Sequence, residues 1–284
     1  MFTQFKKLQI ISIGVLLAGF IGAIAWFLMD NWAIKIPIFG FHNIIEDRVE
    51  KESYLDYRTQ DLEQVLTHLV AENYWFLDTN ELHRYFLTDS QPIPESHLGQ
   101  KPIMLTFDDG LKSMYEYLLP LLEKLEAKSG QKVKVVLFLN PKSVNAAENG
   151  KSSKYMNCQN INEGFQKGYF DIQAHGFSHK KLTELDEKEL IDELSDGKDI
   201  LKGCLIGSRN TETVAAHFAY PYNEVNRKVR DYTTKYYLSG YLYNNEMLRL
   251  GWWSDPYRVS RLNAFRGDSP EKLIRLAAHG SELS

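Results

Sequence analysis

One apolar run of this sequence ends in two adjacent carboxylates, in Thr106-Phe107-Asp108-Asp109-Gly110, and another leads into two imidazoles, in His175-Gly176-Phe177-Ser178-His179. Neighbouring carboxylates repel unless something positive lies between or beside them. A divalent metal serves: one carboxylate binds it while the other stays free as a base. Imidazoles at i and i+4 can share one helical face and ligate one ion. Each motif alone has a plainer explanation. Asp and Gly are common turn residues, and a lone His is ordinarily a surface or hydrogen-bonded residue, as read for His68, His83 and His97. Taken together, one of the two Asp residues with His175 and His179 offers three protein ligands and leaves positions for water and substrate, the pattern of a catalytic metal site. Such a metal polarises a carbonyl and acidifies a water. Gly176 stands where the His-Glu-x-x-His peptidase motif has its Glu, so a zinc-peptidase reading lacks its general base. A third motif is Phe218-Ala219-Tyr220-Pro221-Tyr222-Asn223. Pro fixes the turn there, and a backbone N–H just after it can donate to an oxyanion; in isolation an aromatic-rich turn explains it better.

These motifs need a frame that brings strand ends together. Apolar runs predict strands at Lys35–Phe41, Tyr74–Leu77, Ile103–Phe107, Val133–Leu139, Tyr169–Ala174, Val214–Tyr220 and Leu238–Tyr243. Helical spacing predicts helices over Thr59–Asn73 (capped by Thr59), Asn80–Leu87, the segment through Leu118, Leu119, Leu122 and Leu125, Asn157–Lys167, Leu185–Leu201 and Asn226–Tyr236. Strands alternating with helices argue for a parallel sheet. Three strands run into the motifs above, and in (β/α) barrels the C-terminal face of the strands carries the chemistry. The expectation is one barrel-like α/β domain over 35–284.

Residues 1–34 form a separate N-terminal segment. Leu8–Leu28 is an apolar run long enough for one bilayer crossing of about 30 Å. Lys6 and Lys7 precede it and Asp30 follows, which leaves the N-terminus in the cytoplasm and the domain outside. A cleaved signal peptide is the competing reading, with Ala23-Ile24-Ala25 as its site; the length of the run favours an uncleaved anchor. Both readings export the domain. Cys158 and Cys204 are neither a zinc framework nor a disulfide scaffold, and the plain expectation is two unpaired thiols, with one disulfide open to an oxidising compartment. At a formal net charge of -4 the chain lacks the basic stripe of a nucleic-acid binder.

In order and spacing the three motifs resemble those of the NodB-type polysaccharide deacetylases, carbohydrate esterase family 4, over Ile36 to Phe265. The resemblance implies a distorted (β/α) barrel, a divalent metal that is often zinc, and hydrolysis of N-acetyl groups on an amino-sugar polymer. It implies Asp108 as base, Asp109, His175 and His179 as metal ligands, and the Tyr222 backbone N–H as oxyanion donor. The opening KIPIFGFHNI, the helix before Asn73-Tyr74 and the stretch Tyr257-Arg258-Val259-Ser260-Arg261-Leu262-Asn263 resemble, more narrowly, the exported branch that deacetylates poly-β-1,6-N-acetylglucosamine, a biofilm exopolysaccharide. That branch is typically surface-attached, which places the polymer's synthesis or export machinery among the expected partners. The chain also departs from the family. Ala219 stands where many members have Arg, so Arg261, or failing it Arg258, is expected to orient Asp108. Cys158 stands where Trp is common, and Asn223 where Gly is usual. The resemblance offers His279 as the family's late catalytic-acid His, with a tail His of no chemical role as the equal alternative. Trp252, Trp253, Tyr243 and Tyr257 are candidates to line a sugar groove. Two other readings stay open: an exported peptidoglycan or chitooligosaccharide deacetylase or O-acetyl esterase, and a non-catalytic glycan-binding domain. The intact Asp-Asp and His-x-x-x-His sets argue against the last.

Overall fold

A computed structural model describes Phe20 and residues 33–46, 53–88, 90–205, 207–208, 211–251 and 254–283. The chain divides into two compact units, Met1–Ile34 and Lys35–Ser284. Apart from Phe20, the expected membrane segment at 8–28 lies outside the described residues, and among the described residues no helix is long and apolar enough to cross a membrane.

Seven parallel strands form the centre of the second unit: β1 (Ile38–Phe41), β2 (Pro102–Asp108), β3 (Val135–Leu139), β4 (Phe170–Ala174), β5 (His217–Ala219), β6 (Ser239–Tyr243) and β7 (Val259–Asn263). Each pairs with the next, and β7 returns to β1 with Leu262 opposite Phe39, so the sheet closes into a barrel. The short strand Trp75–Phe76 adds to the start of β2. Closure removes the open edges of the sheet and gathers the C-terminal ends of all seven strands at one rim.

Both faces of this barrel are buried, which is why β3 reads as an unbroken apolar run and β2 as one interrupted only by Thr106 before it ends at Asp108. Along each strand, alternate residues point opposite ways. Phe39, Phe41, Leu105, Phe107, Val135, Leu137, Leu139 and Ile172 join the apolar core shared with the surrounding helices. The residues between them face the barrel interior, where Phe138 of β3 meets Tyr241 of β6 at 5.1 Å. That interior is unusually polar: Thr106, Asp108, Gln173, His217, Ser239 and Arg261 are all buried.

Several local expectations change. Thr59 is the first residue of its helix and not the cap; its hydroxyl donates to the Ile45 carbonyl. The helix expected over Leu185–Leu201 is two, Glu187–Ser195 and Lys198–Gly203. Gly197 sits in the break, where a Cβ would come within 2.3 Å of the Pro141 ring. β7 was not among the strands that apolar runs predicted. The cysteines are not free: Cys158 and Cys204 form a disulfide, with Cα atoms 4.7 Å apart across 46 residues of sequence. The fold sets the start of helix Cys158–Gln166 beside the end of helix Lys198–Gly203, a proximity invisible in the spacing. Closing a loop of that length stabilises by about 2–4 kcal/mol.

Candidate active site

β2 delivers two carboxylates in different directions. Asp108 is the last strand residue; its side chain turns into the barrel and is 1% exposed. Asp109 takes a left-handed conformation, φ +73°, and its side chain comes out on the rim, 28% exposed. A non-glycine residue there carries backbone strain, the kind that collects at functional sites. The turn therefore separates two chemically identical neighbours into a buried group and a rim group.

β4 delivers the imidazoles. His175 follows the strand and is buried; its Nδ1 donates to the Ala219 carbonyl of β5 at 2.8 Å. That bond puts the proton on Nδ1 and leaves Nε2 as the free, ligating nitrogen. Burial pushes the His175 pKa down, which favours the neutral form a metal needs. The chain from His175 to His179 is a loop and not the helical turn the spacing suggested. Gly176 at φ +73° and His179 at φ +61° fold it back. Glu193 holds it there: its carboxylate accepts from the Ser178 N–H at 2.9 Å and from the Ser178 hydroxyl. Asn140 donates to the His175 and Gly176 carbonyls. The result is convergence. Asp109 Oδ1 lies 3.7 Å from His175 Nε2 and 3.4 Å from His179 Nε2, and all three ligand atoms lie within 4.8 Å of one another. One carboxylate and two imidazoles, open on one side, fit a divalent cation with further positions for water and substrate.

Arg261 of β7 crosses the barrel to Asp108. Its Nη1 donates to Oδ1 at 2.8 Å and its Nη2 to Oδ2 at 2.9 Å, with Nη1 also reaching the Thr106 hydroxyl at 3.0 Å. This is the fork expected from the missing arginine at Ala219. The guanidinium is fully buried, 3.8 Å above the Tyr243 ring and 5.2 Å from that of Phe138. Burial alone would raise the Asp108 pKa; Arg261, with His175 and His42 in support, brings it down to about 2. Arg258 is exposed at the other end of β7 and does not take part.

The third motif closes the site. After β5, Pro221 begins a turn in which Tyr222 (φ +56°, ψ +11°) and Asn223 (φ +60°) are both left-handed. The exposed Tyr222 ring packs edge-on against the His179 imidazole at 4.5 Å.

Three expected residues are elsewhere. His279 is exposed at the end of helix Pro270–Ala278, its Nδ1 bonded to the Arg275 carbonyl. The next residues pack on Lys35 and Pro37, just ahead of β1, so His279 lies at the end of the barrel opposite the site. Tyr257 precedes β7 and donates to the Tyr237 carbonyl ahead of β6, also at that end. Cys158 is taken up in the disulfide. Trp252 and Trp253 lie outside the described residues. Sequence reasoning missed His42. It follows β1 directly, stacks on Tyr243 with ring centroids 5.6 Å apart, and its charge is felt by Asp108. The available signal was the one that found His175, an imidazole just past the end of an apolar strand.

The sequence model of a family described as polysaccharide deacetylase matches residues 95–240, more than half of the chain. The chain belongs to the polysaccharide deacetylase family. It is a hydrolase of carbon–nitrogen bonds, and Asp109, His175 and His179 are its candidate metal ligands. Solved structures share the deacetylase fold at low identity. BC0361, a polysaccharide deacetylase from Bacillus cereus, is 19% identical over 87% of this chain and 70% of its own, with a TM-score of 0.71. The Streptococcus pyogenes deacetylase PplD, solved with acetate, is 22% identical over 86% and 98%, with a TM-score of 0.70. IcaB from Ammonifex degensii is 18% identical over 86% and 97%, with a TM-score of 0.66. No curated protein matches the sequence.

Proposed function

We propose that this deacetylase removes N-acetyl groups from poly-β-1,6-N-acetylglucosamine, with zinc as its metal, on the outer side of a membrane. One observation carries the choice of polymer. Two of the three stretches that resemble the exopolysaccharide branch supply the site: KIPIFGFHNI brings His42, and YRVSRLN brings Arg261, which holds Asp108 where Ala219 cannot.

Asp109, His175 and His179 would hold a divalent ion, which would polarise the acetamide carbonyl and acidify a water. Asp108, ionised and fixed by Arg261, takes the proton of that water as it attacks the carbonyl. The Tyr222 N–H donates to the oxyanion. The nitrogen then leaves as the free amine after protonation; we assign that proton to His42, which packs on the Tyr243 ring as Arg261 does.

Acetate release from a panel of acetylated glycans tests this reading. Release should be fastest on the β-1,6-linked polymer, fall to background after chelation and return with added zinc. Equal or faster release from chitooligosaccharides or peptidoglycan would overturn the polymer, and full activity in protein shown to be metal-free would overturn the metal.

The location rests on the apolar run at 8–28 and on the disulfide, which belongs to an oxidising compartment. Protease added to intact spheroplasts should digest the domain. Complete protection would overturn the topology, while a mature N-terminus at Trp26 would overturn only the uncleaved anchor.

A further inference from the structure

The turn that carries Tyr222 has little regular structure to hold it. β5 ends at Ala219, and the last ladder contact on this side is the Tyr220 N–H donating to the Tyr241 carbonyl at 3.0 Å. Pro221 has no N–H to continue the ladder. Two residues farther along β6, Tyr243 presents its N–H and carbonyl to the same side, beyond the end of β5. Asn223 meets both. The Tyr243 N–H donates to Asn223 Oδ1 at 2.6 Å, and Asn223 Nδ2 donates to the Tyr243 carbonyl. A carboxamide carries the same donor and acceptor as a peptide group, so this side chain stands in for the missing rung of the ladder.

Backbone conformation does not explain an Asn here. Asn223 is left-handed at φ +60°, as is Tyr222 before it. Gly adopts that conformation without steric cost and would serve the turn better. What Asn adds is the side chain. Its anchor point matters as well, because the Tyr243 ring lies 3.8 Å beneath the guanidinium that grips Asp108.

We propose that Asn223 is a positioning residue: by bonding both backbone groups of Tyr243 it fixes the Tyr222 N–H relative to the Arg261–Asp108 pair. The inference rests on the Tyr222 N–H being the oxyanion donor; it does not depend on which glycan is the substrate.

Asn223→Gly tests it, because glycine relieves the backbone while deleting the rung. The kcat should fall about tenfold, part of the ~10²–10³ that outright loss of an oxyanion donor costs. KM, metal content and Tm should hold, and the Tyr243 amide should exchange hydrogen faster. Unchanged exchange would show that the rung does not clamp. Faster exchange with unchanged kcat would show that the clamp does not position the donor. A parallel fall in Tm and metal content would assign Asn223 to folding alone and overturn the proposal. Asn223→Asp keeps the acceptor and loses the donor, so its exchange rate should lie between those of Asn and Gly; a rate equal to wild type would remove the donor half. Because kcat is read on whichever acetylated glycan the wild type turns over, a wrong polymer leaves this test intact.

Discussion

Asp108→Asn should abolish acetate release while the metal stays bound. The amide keeps the shape of the carboxylate but cannot accept the proton from water, and loss of a general base costs on the order of 10²–10⁴ in rate. The metal should persist because its three candidate ligands leave Asp108 out: Asp109 faces the His175 and His179 imidazoles from the rim at 3.4–3.7 Å. The substitution has a second consequence. Arg261 is fully buried with Asp108 as its counter-ion, so neutralising Asp108 strands a buried positive charge. Breaking such a pair from one side costs about 3–5 kcal/mol. The single variant should therefore be inactive and clearly less stable. Asp108→Asn with Arg261→Gln should regain much of the Tm and none of the activity. Metal analysis, a thermal melt and acetate release on the same samples separate the two effects. Wild-type turnover in the metal-loaded single variant would remove Asp108 from the base role.

The same pair sets a pH expectation. The folded pKa of Asp108, about 2, lies below the ordinary carboxylate value near 3.9. The stability this contributes is present above about pH 4 and is lost as pH falls through 2. A nearby cation would only lower that pKa further. Asp108 thus stays ionised wherever the enzyme works, and the acidic limb of the activity profile should not report its titration.

The residues explain why some of this was legible in the sequence and some was not. β2, β3 and β4 are largely apolar runs, and β2 and β4 lead straight into ionisable groups, so these strands and the metal ligands announce themselves together. β7 does not. Its sequence is VSRLN, and its inward position Arg261 is charged because it serves Asp108 across the barrel, so function erased the apolar signature of the strand. The His175–His179 spacing suggested a helix, yet Gly176 and the left-handed His179 make a loop that reaches the same convergence. Ring closure put Arg261 near Asp108 and His42 near Tyr243, and nothing in linear spacing encodes closure. The disulfide was hidden for the same reason, and His279 misled because its place at the opposite end of the barrel depends on how the last helix packs beside the start of β1.

Arg261→Lys should lose most of the activity although the charge is retained. The guanidinium offers two parallel N–H donors, one to each oxygen of Asp108, and this fixes both the rotation and the depth of the carboxylate. Its Cζ sits 3.8 Å from the centre of the Tyr243 ring, a contact of a planar group that an ammonium does not reproduce. The third contact, from Nη1 to the Thr106 hydroxyl at 3.0 Å, locks the plane of the fork. A lysine there would present one point charge to one oxygen, leaving Asp108 ionised but free to turn. Misplacing a reacting group by about 1 Å costs on the order of 10² in rate, so kcat should fall by roughly that factor. KM and metal content should change little, because neither substrate contacts nor the ligand set involve Arg261. A lysine variant with full kcat would show that charge alone suffices and that the fork is dispensable. A variant that loses metal in proportion to activity would instead place Arg261 in support of the metal site and not of the base.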